Sequence, residues 1–189
     1  MATKFHSYST QEATNIIARR AAIRVTPTIT GVQYANNDVL FDTTEIPNAV
    51  AYNGGASELK NITINSKSSS LFDCTLWFFQ VNQSAGTVNA AWNMSDGDFA
   101  TAKNLGCIYL DGDNLQQNPG AGRVYTVMQG YKAFPSATKT NPQLPLVLQA
   151  EDDSTSVYMA AKIQSEDDPG NTTPSFSVGD IEVVLGINY

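Results

Sequence analysis

Chemically versatile side chains are scarce in this 189-residue sequence. It holds one histidine and two cysteines, and only 15% of its residues are charged, against about a quarter in ordinary globular domains. The lone histidine, His6, lies in the first few residues. A Ser-His-Asp or Cys-His arrangement needs a base held rigidly against its nucleophile, which a terminal segment does not supply unless it docks elsewhere. Cys74 and Cys107 are too few for a disulfide scaffold. With His6 they still fall short of the four ligands of a structural zinc site, so no metal and no cofactor are expected. No run approaches the roughly 20 apolar residues that cross a bilayer as a helix, so no membrane partner is expected either. The start, Met1-Ala2-Thr3-Lys4-Phe5-His6, lacks an apolar signal core, which points to synthesis in a cytosol. In that setting the glycosylation patterns at Asn61, Asn82, Asn93 and Asn171 read as chance matches in a chain rich in Asn and Thr.

What takes the place of charge is Asn, Thr, Ser, Gln and Ala. Uncharged polar residues of this kind suit the solvent faces of sheets and the turns between them. The apolar fraction is 42%, enough for a globular core in a single domain of this length. The charges are unevenly placed. Residues 1–24 carry Lys4, Arg19, Arg20 and Arg24 against Glu12, a net charge of +3, while the rest of the chain carries −10. The division predicts a basic N-terminal arm over residues 1–24 on an acidic body over residues 25–189. Arg19, Arg20 and Arg24 then either anchor the chain to an acidic partner or line one solvated face. An acidic body excludes nucleic acid as the main ligand, because phosphates demand a basic footprint.

Along the chain, Ser9 and Glu12 have capping-box spacing, and Ala13, Ile16, Ile17 and Arg20 follow at helical intervals. Residues 9–20 therefore read as a short helix or an extended arm. From Ile23 onward, strand signals recur: 23–26, 39–41 with 43–46, and 59–66, where alternation turns Ile62 and Ile64 inward. The strongest lies at 71–81, where Phe72, Leu76, Trp77, Phe78, Phe79 and Val81 leave no polar face. Such a run predicts a central strand covered on both sides, or one with a face buried between subunits. Trp77, Phe78 and Phe79 are accordingly candidate interface residues. Ser95-Asp96-Gly97-Asp98 predicts a second capped helix. Strands follow at 107–110, 124–129, 146–149, 157–164 and 180–187. Between them, 111–122, 134–145 and 165–179 are rich in turn formers and read as loops that could carry contacts. The expected fold is all-β: a β-sandwich or jelly-roll-like domain with a short N-terminal arm or helix.

No motif for chemistry completes itself. Asp111-Gly112-Asp113-Asn114 has the alternating oxygens of a calcium loop without its remaining ligands. Glu151-Asp152-Asp153 and Glu166-Asp167-Asp168 sit beside turn formers and read as solvated tips, with a cation site or a docking patch for basic groups as the functional alternative. The glycines form no phosphate loop. Trp92 and Tyr131 are among the aromatics that could stack on a sugar, although aromatics in strands more often belong to cores and interfaces.

Several blocks resemble a known group: Glu45-Ile46-Pro47-Asn48-Ala49-Val50, Gly54-Gly55-Ala56, Leu59 to Ile64, Cys74-Thr75-Leu76-Trp77-Phe78-Phe79-Gln80 and Asn89-Ala90-Ala91-Trp92. Across about residues 20–187 their order is similar to that in small structural proteins of tailed bacteriophages, the capsid decoration or cement proteins. The resemblance implies a β-sandwich or jelly-roll body, a homotrimer seated on the outer shell, the major capsid protein as partner, and residence on the virion surface. It carries over no catalytic residue, so a non-enzymatic role is expected. A carbohydrate- or host-surface-binding sandwich of a phage fibre is the alternative.

Overall fold

The computed structural model describes residues 19–128, 144–164 and 173–189. The strands are β1 (Arg20–Val25), β2 (Val39–Ile46), β3 (Ala56–Ser66), β4 (Cys74–Phe79), β5 (Asn104–Leu110), β6 (Gln116–Gln117), β7 (Arg123–Met128), β8 (Leu146–Gln149), β9 (Val157–Ile163) and β10 (Ile181–Asn188). Two short helices are α1 (Asp96–Ala102) and α2 (Gly112–Leu115). The strands form two antiparallel sheets that pack as a sandwich. The six-stranded sheet runs β1-β10-β3-β7-β6, with β8 also paired to β3; the four-stranded sheet runs β2-β9-β4-β5.

Alternation along the strands builds the core. In β10, Ile181, Val183, Leu185 and Ile187 are buried, while the residues between them are partly exposed. Ile62 and Ile64 of β3 face the same interior, as their spacing predicts. The expected strand over 71–81 is shorter, but its apolar run divides as a central strand should. Cys74, Leu76 and Phe78 enter the main core. Phe79, with the half-buried Trp77, enters a smaller cluster on the sheet's other face, with Ala85, Met94, Ala102 and Ala160. The segment 80–103 forms that second cover. Asp42 pins it to β2: its carboxylate accepts from Ala85 N–H at 2.6 Å and from Ser84 Oγ at 2.8 Å. The helix expected after Ser95 is present with its capping box, Ser95 Oγ accepting from Asp98 N–H and Asp98 Oδ2 from Ser95 N–H.

Two expectations change. Residues 20–24, placed by their charge in an N-terminal arm, form most of β1 and pair with β10. Ala21, Ile23 and Val25 alternate with Arg20, Ala22 and Arg24, so the segment has strand periodicity whatever its charge. The helix or arm expected over 9–20 otherwise lies outside the described residues, as do Tyr131 and the Glu166-Asp167-Asp168 cluster. Within the stretch 111–122, expected as loop, α2 and β6 form. Gly112 opens α2 because a Cβ there would lie 2.4 Å from the Phe72 carbonyl oxygen, a contact that backbone cannot relieve cheaply.

Tyr34 ties the long β1–β2 connection to the core. Its ring is buried, edge-on to Phe176 at 5.6 Å between centroids. Its hydroxyl accepts from Thr30 N–H at 2.9 Å. Replacing Tyr34 with Phe keeps the ring and strands that N–H, so Tyr34→Phe is expected to cost about 1–2 kcal/mol. Urea denaturation of both proteins measures this; equal midpoints would show that the connection holds without the bond.

Candidate contact surface

The outer face of the six-stranded sheet follows from the strand registers. Four rows of outward residues cross it. They are Glu182–Asn65–Val124–Gln117, Arg24–Val184–Thr63–Thr126, Ala22–Gly186–Asn61–Met128, and Arg20–Asn188–Glu58–Val147. Inside the two middle rows Val184, Thr63, Thr126, Ala22, Gly186 and Asn61 are small and uncharged, with Arg24 at the β1 end. Two large apolar residues at the ends of the third and fourth rows away from β1 stand out in solvent, Met128 at 62% exposure and Val147 at 57%. An antiparallel sheet with one solvated face usually shows polar residues there, so Met128 and Val147 make this face a candidate contact surface, while Val32, Tyr52 and Val178 stand exposed elsewhere.

A bulge shapes the face. Gly186 opposes Asn61 and Ile187 opposes Leu59, which leaves Lys60 as an extra residue on β3. Bulges increase local twist and redirect side chains. Here Lys60 and Asn61 border a groove of about 730 Å³ with Arg20, Ala22, Gly186 and Asn188 along it. Gly186 leaves room for the Asn61 amide: a Cβ at that position would clash with Asn61 Oδ1 and Nδ2 and force the Asn61 side chain to turn. The amide of Asn61 lies where a side chain of residue 186 would otherwise stand.

The charges of this face are concentrated toward β1. Glu182 joins two neighbours, accepting from Arg24 Nη1 at 2.9 Å and from Asn65 Nδ2 at 2.8 Å. The Asn65 bond is the main cause that holds the Glu182 carboxyl below its ordinary range, and Arg24 adds to it. Glu58 is likewise lowered, chiefly by its hydrogen bond from Lys60, whose Nζ lies 2.7 Å away. Arg19 stacks over the Tyr189 ring at 5.5 Å, a cation–π distance. Arg20, Arg24, Lys60 and Lys67 thus gather on this side against Glu58, Asp180 and Glu182, while Arg19 with Tyr189 lies at the core-side rim of β1. The cover of the other sheet carries Asp96 and Asp98, and the β8–β9 loop beside it carries Glu151, Asp152 and Asp153, with Lys103 bonded to Glu151 at 2.7 Å.

The residues singled out from sequence separate accordingly. Arg20 and Arg24 lie on β1 at the border of this face, so they are features of the body and not of an arm. Trp77, Phe78 and Phe79 lie in the other sheet. Phe78 and Phe79 are wholly buried within the subunit, so they offer no area to a partner, and only Trp77 keeps part of its surface. Trp92 packs against Trp77 at 6.3 Å and Phe99 at 6.4 Å between centroids, which leaves it a poor sugar platform. Asp111 and Asp113 meet in a local turn, Asp111 Oδ1 accepting from Asp113 N–H at 3.0 Å. Among the described residues no three His, Cys, Asp or Glu side chains gather as metal ligands.

One buried acidic residue was not visible in the pattern. Asp73 accepts from Gly112 N–H at 2.6 Å and from the Tyr109 hydroxyl at 3.1 Å. Burial first, and then the Asp73 charge, push the Tyr109 phenol up. One carboxylate oxygen holds the turn after β5 and the other the Tyr109 hydroxyl within β5, which is a structural use. Burial likewise raises the Cys74 thiol, which makes it an inert core residue. No protein-family model, no curated protein and no solved structure matches this chain.

The lowered Glu182 carboxyl sets a pH dependence. A group whose folded pKa is depressed contributes stability above its unfolded pKa, about 4.3 for Glu, and loses it as pH falls through the folded value. Glu182→Gln is therefore expected to lose less stability than the unsubstituted chain between about pH 5 and pH 2. Urea denaturation across that range tests this, and parallel profiles would remove Glu182 from the acid response.

Proposed function

We propose that this chain is a structural protein of a virus particle, a capsid decoration protein that seats on the outside of a phage head. The observation that carries this reading is the outer face of the six-stranded sheet. It is small-residued, partly apolar, and bordered by basic side chains, in a molecule whose other charged surfaces are acidic. Such a face fits an acidic shell surface, with the acidic side turned outward. The order of sequence blocks similar to phage head proteins supports the choice of a shell as partner. In this reading the major capsid protein is the partner, a homotrimer places three copies of the face over neighbouring shell subunits, and the protein resides on the capsid surface after synthesis in the host cytoplasm.

The mechanism is burial and bridging, without a chemical step. Removing Met128, Val147 and Val184 from water contributes about 25 cal/mol per Å² of apolar area. Cations at the border steer approach and fix orientation. The carbohydrate-binding alternative draws less support, because Trp92 is packed within the aromatic cluster and Tyr131 lies outside the described residues.

Binding to emptied phage heads tests the assignment. Met128→Asp and Val147→Asp change exposed positions and should leave the fold intact. Each is expected to weaken shell binding by about tenfold or more, the size of a central contact of 1.4 kcal/mol or above. Asp96→Asn, on the opposite side, should leave binding unchanged. Co-sedimentation with heads measures all three, and undiminished binding of both face variants would overturn the reading.

A further inference from the structure

β1 is an edge. Among the described residues it pairs with β10 alone. In an antiparallel ladder, bonded and non-bonded residue pairs alternate. Tyr189 N–H donates to the Arg19 carbonyl at 3.0 Å, and the register places these two residues opposite one another. Ala21, Ile23 and Val25 therefore bond toward β10. Arg20, Ala22 and Arg24 turn their N–H and C=O groups to the open side. These same residues point their side chains to the outer face, and all three are exposed. The edge thus offers three donor–acceptor pairs, at every second residue, beside a cation, a methyl group and a second cation.

We propose that this edge receives an extended acidic segment of a partner protein as an added antiparallel strand. Strand addition takes its affinity from the main-chain bonds and its selectivity from the alternate side chains. Residues directly opposite in such a pair share a face, and opposite charges there stabilise. The incoming strand has acidic residues opposite Arg20 and Arg24. Opposite Ala22 it has a bulky residue, which lies over the hollow where Ala22 and Gly186 have little or no side chain. Arg24 is 64% exposed in its pair with Glu182; such a pair holds weakly, and Glu182 keeps Asn65 when Arg24 turns to the new strand.

A second copy of this chain is a poor occupant. Full overlap of two β1 strands about Ala22 sets Arg20 of each copy opposite Arg24 of the other, and like charges directly opposite are unfavourable. Charged residues guard sheet edges against self-pairing in this way. Here the guard also selects the sign of the strand admitted.

The inference adds to the proposed function without resting on it, because a peptide reads the edge and phage heads read the sheet face. The probe is a blocked heptapeptide of threonine with glutamate in the second and sixth places and tyrosine in the fourth. Titrated into the full chain, it should slow hydrogen exchange at the amides of Arg20, Ala22 and Arg24. A peptide with lysine for glutamate should bind at least about tenfold more weakly, the effect of two reversed cross-strand pairs. The double variant Arg20→Glu with Arg24→Glu should invert that preference. Equal binding of both peptides, or no protection at these amides with either one, overturns the proposal. So does protection that appears on concentrating the chain alone, which would make a second copy the occupant.

Discussion

β3 is the strand on which the larger sheet depends. One of its edges is taken by β10 from Glu58 to Ser66, and the other is shared end to end by β8 and β7. Three chain segments distant in sequence are held in register by this one ladder. A slip of one residue would turn Leu59, Ile62 and Ile64 outward and Glu58 and Thr63 into the core. The bulge at Lys60 is the exception that the register tolerates. It lets the alternation of β3 stay in phase with β8 at one end and with β10 and β7 at the other. The same exception produces the groove, so the site and the fold share a cause.

Much of this was legible in the residues. Alternation in 59–66, the aromatic run around Trp77 and the cap at Ser95 each led to an observed element, because each is a local signal. What sequence could not show was which side of a strand meets which neighbour. The aromatic run was compatible with a cover from the same subunit or from another. The deciding fact, that segment 80–103 folds back over β4, depends on Asp42 holding Ser84 and Ala85, residues about forty positions away. Charge also misled where periodicity did not. Arg20 and Arg24 drew attention as an arm, while the intervening Ala21, Ile23 and Val25 already carried the strand.

The contact surface was least visible because its signal is an absence. Val184, Gly186 and Asn188 look unremarkable in a list of residues. Their meaning appears only when the register sets Val184 beside Thr63 and Gly186 between Ala22 and Asn61, an uncharged strip with Arg24, Arg20 and Glu58 at its border. The border charges acquire a role in the same way. Glu58 and Glu182 bind their cations locally, so the side toward β1 remains modestly basic within a strongly acidic protein.

The second cluster behind β4 has an optical consequence. The chain's two tryptophans, Trp77 and Trp92, both belong to it, while the main core contains none. Intrinsic fluorescence of this protein therefore reports on the seating of segment 80–103 against the smaller sheet. A change in emission with a steady far-ultraviolet spectrum would signal the lifting of that cover, with the sandwich beneath it still intact.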